Sequence, residues 1–271
     1  MKKKFALLAT SVLALSLTLT ACGTSDNGTK TGDTTASKNL LDQVKSAGVL
    51  KIGTEGTYAP YTFHAQDGSL TGFDIEVANE VAKRIGVKAQ YVETQWDGMF
   101  AGLDAKRFDM IANEVGIRPD RQEKYDFSDP YIVSKAVLVT SKDNTDIKSF
   151  ADLKGKKAAQ SLTSNLTDIA KQNGAEIVGV EGFNQAIDML VSKRVEATVN
   201  DGLSYLDLMK QKPDLPLKKV DEQADGAKNG MMFRKDSKEL VDAVNKALTD
   251  IKSDGTYLKI SQKYFGADVS K

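Results

Sequence analysis

Val49-Leu50-Lys51-Ile52-Gly53 is a short apolar run that stops at a glycine, and the order of the runs after it sets the fold. From Phe73 to Ile85, the residues Val77, Ala78, Val81, Ala82 and Ile85 recur at helical spacing, and Gly86 supplies a stop. Val87 to Val92 reads as the next strand. Asp97 to Lys106 reads as the next helix, burying Met99, Phe100 and Leu103, and Asp109 to Ala112 as a short buried strand. A strand–helix–strand–helix–strand order predicts a parallel sheet with helices on its faces.

A second set of the same kind begins after the apolar run Ala136 to Thr140. Ser149 with Asp152 three residues on predicts a capping box. Strands are then expected at Lys157–Gln160, Glu176–Val180 and Ala197–Asn200. Helices are expected at Asn165–Gln172, with Gly174 as its stop, at Asn184–Ser192 and at Gly202–Lys210. The tail adds a strand at Gly230–Phe233 and helices at Ser237–Lys252 and Gly255–Tyr264, the last burying Tyr257, Ile260 and Tyr264. Two such units predict an α/β protein of two lobes with a cleft between them. Function is then expected beyond the carboxyl ends of strands, at Glu55, Trp96, Asn113, Gln160 and Asn200.

The amino terminus points to export. Lys2, Lys3 and Lys4 precede an apolar run from Phe5 to Thr20, shorter than the roughly 20 residues a spanning helix needs. The run ends in Leu19-Thr20-Ala21-Cys22, small residues before the only cysteine, which resembles the lipobox of bacterial lipoproteins. Residues 1–21 are therefore expected to be a lipoprotein signal peptide and Cys22 a lipidated anchor. Residues 22–39 are expected to form a flexible tether, since Gly23 to Lys38 holds a single Ala among Gly, Ser, Thr, Asp, Asn and Lys. Taking away Lys2, Lys3 and Lys4 leaves 34 of the 37 basic residues against 37 acidic ones. A slightly acidic chain argues against a nucleic-acid partner. With Cys22 consumed, no disulfide is expected.

Polar and aromatic groups crowd the predicted strand ends: Thr54 to Tyr61, Gln95-Trp96-Asp97-Gly98, Asn113 to Arg121 with Pro119 suited to a first helical turn, and Asn200-Asp201-Gly202. Together with Gly72-Phe73-Asp74-Ile75, the run Gly116 to Pro130 and the ending Asp254-Gly255-Thr256-Tyr257, these segments resemble the polar-amino-acid family of bacterial extracellular solute-binding proteins, from about Leu50 to Phe265. Within it, Glu93 to Leu103 with Ile111-Ala112-Asn113 is most similar to L-cystine receptors.

The resemblance implies a type II periplasmic-binding-protein-like fold. Residues 40–134 and 228–271 would form lobe 1 and residues 135–227 lobe 2, with hinges near Val133–Ala136 and Gly226–Asn229. It implies a monomer held by lipid on the outer face of the cytoplasmic membrane, delivering a polar amino acid to the permease and ATPase of an ABC importer. Arg121 would grip the ligand carboxylate, for which a planar guanidinium is suited. Asp201 would receive the ammonium, with Glu55 as a helper. Tyr58 and Trp96 would sandwich the side chain. Gly116, Thr163 and Ser164 would complete the carboxylate cradle at a helix amino end, and Asn113, Gln160 and Asn200 would tune specificity. Glu114 departs from the uncharged residue, often glutamine, of the cystine-like members. If it faces the cleft it could meet a second ammonium, as in cystine, lysine or ornithine; if it faces solvent it has no role.

Each residue also has a structural reading. Arg121 could pair with Asp120 or Glu123, Tyr58 and Trp96 could be core aromatics, and Asp201 could cap the helix after it. His64 is the only histidine, which rules out multi-histidine zinc sites and gives no nucleophile–histidine pair; no phosphate-binding or dinucleotide fingerprint follows a strand. No metal, cofactor or catalysis is expected. Two alternatives stand beside a cystine receptor. One is a receptor for arginine, lysine, histidine or glutamine. The other is a cyclohexadienyl dehydratase-like enzyme on the same fold, with Glu114 as its acid.

Overall fold

The computed structural model describes residues 39–271. The expected signal peptide, the lipidated Cys22 and all but the last residue of the expected tether lie outside the described residues. The first element is a helix, Leu40–Ala47, which the sequence reading passed over. Asn39 caps it by accepting from the Asp42 N–H at 2.9 Å, and Gly48 ends it in the left-handed conformation.

Two main sheets organise the chain. In the first, Lys88–Glu93, Val49–Thr54 and Met110–Gly116 run parallel. Ala227–Arg234 joins antiparallel to Met110–Gly116, and it carries the short strands Tyr125–Phe127 and Ile132–Ser134. In the second, Glu176–Gly179, Lys157–Gln160 and Ala197–Asp201 run parallel, while Ala136–Ser141 and Leu217–Glu222 add antiparallel strands. A small meander of Thr57–Tyr58, Thr62–His64 and Leu70–Thr71 sits beside the first sheet's helices.

Both main sheets are covered on two faces, as strands buried on both sides require. On the first, Leu50, Ile52 and Phe233 join a cluster with Phe73, Val77, Val81, Leu240 and Leu248, whereas Met99, Leu103, Phe108 and Ile111 belong to another. On the second, Val137 and Val139 pack with Ile187 and Leu190, and Leu138 and Val199 pack with Leu153 and Ala170. The Phe73–Ile85 helix ends at Gly86 (φ 88°), as its glycine predicts. Its start is set by Gly72, whose φ of 128° and approach to the Tyr61 carbonyl, 2.3 Å from where a Cβ would sit, exclude any side chain.

The chain passes from the first sheet to the second between Ser134 and Ala136, and returns between Glu222 and Ala227. The expected helices appear with boundaries shifted by a residue or two, and the Ser149–Asp152 capping box forms, on a 3-10 helix at Phe150–Leu153. Three expectations change. Asn113 to Gly116 is not a loop after a strand, because the Met110–Gly116 strand continues through it. Leu217–Glu222, polar and unassigned from the sequence, is an edge strand because only its partner Ala136–Ser141 makes it one. Ile85, Phe100 and Tyr264 are half-buried rather than buried.

Candidate functional site

The ends of strands from both sheets converge. Thr54 ends one strand, and Glu55 follows it. The Asn113 carboxamide ties that corner down: its Oδ1 accepts the Glu55 N–H at 2.8 Å, and its Nδ2 donates to Glu55 Oε2 at 2.6 Å. Trp96 opens the Trp96–Asp104 helix and packs edge-on to Phe100 at 5.5 Å. From the second sheet come Gln160, Asn200 and Asp201, all buried at strand ends.

A cleft lies between these groups. Of the residues expected in the site, Glu55, Tyr58, Trp96, Asn113, Glu114, Ser164 and Asn200 line it. Sequence reasoning missed Ser161, Asn165, Leu166, Gly182 and Phe183, which line it too. A second cavity shares Glu114, Asn165 and Leu166, and Asp201, Ser134 and Arg118 face it. Glu114 thus faces the cleft, which answers the question its position left open.

The remaining expected residues stand close by in other roles. Arg121 is buried beneath Trp96 and Phe100, its guanidinium carbon 5.6 and 5.2 Å from their ring centres. It donates to the Gly116 carbonyl at 3.1 Å and the Thr163 carbonyl at 3.4 Å, so it does not form the surface ion pair with Asp120 or Glu123. Asp120 instead pairs with Arg118. Asp201 caps the Gly202–Gln211 helix, Oδ1 accepting from the Leu203 and Ser204 N–H groups at 2.9 Å each and from the Tyr61 hydroxyl at 2.8 Å. Its other oxygen accepts from the Ser134 hydroxyl. Thr163 is exposed, and its N–H and hydroxyl both go to the Asp97 carboxylate. Gln160 is buried with its amide Nε2 lacking an acceptor among the described residues. The indole N–H of Trp96, on a side chain 7% exposed, lacks one too.

Several of these bonds run from first-sheet elements to second-sheet elements. The Tyr58 hydroxyl donates across to Asn200 Oδ1 at 3.1 Å and, on its own side of the cleft, shares its proton with Glu114 Oε2 at 3.4 Å. Tyr61 reaches Asp201, Arg118 pairs with Asp168 at 2.7 Å, and Asn184 donates to the Thr57 carbonyl at 3.1 Å. The two halves therefore close on each other around the cavity.

The charges inside are unequal. Desolvation pushes the Glu55 carboxyl up to about 7; the Asn113 bond opposes this and Asp97 adds to it. Desolvation, then repulsion by Asp201 and Asp74, holds Glu114 well above the usual carboxylate range. Asp201 is raised by burial despite its four donors. Desolvation, and then Arg118, press the Arg121 guanidinium down to about 10. Arg121 lines neither cavity, and Arg118, paired with Asp120 and Asp168, faces the second, while the carboxylates of Glu55, Glu114 and Asp201 face the cleft, a setting that suits a ligand ammonium.

The model of bacterial extracellular solute-binding proteins, family 3, matches residues 50–267. The chain belongs to this family. Among family 3 relatives, it is 51% identical over 269 residues to the L-cystine-binding protein TcyA of Bacillus subtilis (strain 168), covering 99% of this chain and 100% of that one. An ancestral arginine-binding protein bound to arginine superposes with a TM-score of 0.76 at 38% identity, covering 80% of this chain and 98% of that one. The L-cystine solute receptor of Neisseria gonorrhoeae, in its unliganded open conformation, gives 0.58 at 44% identity, covering 86% and 100%. Higher identity with poorer superposition points to arrangement rather than ancestry. The family 3 fold here is disposed more like the arginine-bound protein, in keeping with its bonded lobes.

Proposed function

We propose that this chain is the extracellular receptor of an ABC importer, that it captures L-cystine by lobe closure, and that it performs no catalysis. Residues 40–134 with 228–271, and 135–227, would move as two lobes about the two crossings at Ser134–Ala136 and Glu222–Ala227. Cys22 would carry the lipid that keeps the monomeric receptor on the outer face of the cytoplasmic membrane. Arg121 would turn its guanidinium to the ligand carboxylate, beside the amino end of the Asn165–Gln172 helix. Asp201 and Glu55 would face ammonium groups, and Tyr58 and Trp96 the chain between them.

The observation that carries this reading is the cleft whose walls come from both sheets and hold the carboxylates of Glu55, Glu114 and Asp201, with the Arg121 guanidinium buried behind Trp96 at its edge. The 51% identity to a cystine-binding protein along essentially the whole of both chains supports the choice of ligand. A second reading, a receptor for a cationic amino acid, is favoured by the excess of carboxylates over guanidinium and by the likeness to an arginine-bound protein. Calorimetry of the full chain, stripped of co-purified ligand, against cystine, arginine, lysine, histidine and glutamine separates them. Cystine is expected to bind with micromolar or better affinity. Tight binding of arginine or lysine instead moves the cargo to the second reading, and binding of none ends the amino-acid assignment.

A further inference from the structure

We propose that Glu114 is a specificity-determining residue that selects amino acids carrying a second ammonium group besides the α-amino group. The inference rests on the amino-acid-receptor reading and says which ligands that receptor favours.

The backbone first shows that this carboxylate is held in place. Glu114 lies within a strand, yet its φ is 49°, a left-handed conformation that costs a non-glycine residue on the order of 1 kcal/mol. Its N–H donates to Asp74 Oδ2 at 2.6 Å, and Asp74, fully buried, is fixed from its other oxygen by the Tyr131 hydroxyl at 2.8 Å. Through this clamp the Gly72-Phe73-Asp74 turn holds Glu114 out of the regular pleat, where its side chain faces both cavities.

The side chain is then held by neutral donors only. Asn229 Nδ2 donates to Oε1 at 2.9 Å and the Tyr58 hydroxyl to Oε2 at 3.4 Å. No Lys or Arg among the described residues forms an ion pair with it. The charges that act on it most are Asp201 and Asp74, both of its own sign, and Arg121 contributes least. A half-buried carboxylate that is oriented, crowded by like charge and without an ion partner is where a ligand ammonium gains most. Asp201, by contrast, already accepts from four donors. Glu114, with two neutral donors, keeps acceptor capacity for a ligand ammonium.

The test compares three cysteine derivatives by calorimetry on the full chain and on E114Q: L-cystine, S-(2-aminoethyl)-L-cysteine and S-propyl-L-cysteine. The second keeps a distal ammonium without a distal carboxylate, and the third has neither. A charge-assisted bond at such a site corresponds to about 10- to 100-fold in affinity. Wild type is expected to prefer the aminoethyl over the propyl compound by that factor, and E114Q to reduce the preference to within about threefold. Should E114Q fail to fold, E114D withdraws the carboxylate by one methylene and must cut the preference at least about threefold. An aminoethyl-to-propyl ratio unchanged in the folded variant overturns the proposal while leaving the receptor reading intact. Wild type that binds none of the three overturns the receptor reading itself, and this inference with it.

Discussion

Removing the Asp97 side chain tests whether the closed arrangement is the binding arrangement. Its carboxylate reaches from the Trp96–Asp104 helix to the loop before the Asn165–Gln172 helix, accepting the Leu162 N–H at 3.3 Å, the Thr163 N–H at 3.0 Å and the Thr163 hydroxyl at 2.7 Å. Hydrogen bonds to a charged group contribute about 1.5–3 kcal/mol when shielded. Asp97, Leu162 and Thr163 are all exposed, so each bond is discounted to about 0.5 kcal/mol. Asp97→Ala should then destabilise the closed form by about 1–2 kcal/mol. A ligand bound only by the closed form loses the same amount, so Kd rises about 5- to 30-fold. Calorimetry reads the Kd, and stopped-flow should place most of the change in dissociation. Asp97→Asn, which keeps one acceptor oxygen, should fall between. Because the clasp is exposed, 0.5 M salt should weaken wild type more than the variant. Asp97 also sits in the first turn of its helix, where a negative charge stabilises by about 0.3–1 kcal/mol, so ligand-free melting is measured alongside. A Kd within twofold of wild type, with the variant folded, would show that the clasp plays no part in the bound state.

Arg121→Ala should weaken amino-acid binding by about 100-fold or more, since two charge-assisted bonds to a carboxylate are lost. The fold should persist with a lower melting temperature, as the cation over Trp96 and Phe100 contributes about 0.5–2 kcal/mol. Arg121→Lys keeps the charge without the fork and should rescue binding only in part. Burial raises Asp74 to about 7, so the folded chain holds a proton there that the unfolded chain releases. That contribution to stability is full below the ordinary carboxylate range and is lost as pH rises through about 7, with Glu55 acting in the same direction. Asp74→Asn should therefore flatten the difference in denaturant midpoint between pH 5 and pH 8, by at most about 3 kcal/mol in free energy; an unaltered difference would count against a buried titrating Asp74. Gly72→Ala should cost about 3 kcal/mol or prevent folding, because its Cβ would sit 2.3 Å from the Tyr61 carbonyl at a φ of 128°. A melting temperature close to wild type would refute that.

Much of the architecture was legible because it is local. The stripe Val77, Ala78, Val81, Ala82, the stop at Gly86 and the Ser149–Asp152 box need only neighbours within a few residues, and each appears where its pattern puts it. Leu217–Glu222 was not legible, since its sequence is polar and its strand state comes from pairing with Ala136–Ser141, far away in the chain. The candidate site divides the same way. That Glu55, Trp96, Asn113 and Asn200 stand at element ends follows from the order of runs and breaks, and they do meet around one cavity.

What only the tertiary structure decided is what each charged group faces. Asp97 reads as an ordinary first-turn acid until Thr163 comes within 2.7 Å of it. Asp201 could have been a cap or an open carboxylate, and Tyr61, distant in sequence, helps saturate it. Glu114 could have pointed to water, but a hydrogen bond from its own backbone to Asp74 turns it into the cleft. Periodicity and termini act over a few residues and are written into the sequence directly. Desolvation, hydrogen-bond partners and the approach of one charge to another act through space, and they exist only once the two sheets have formed and met.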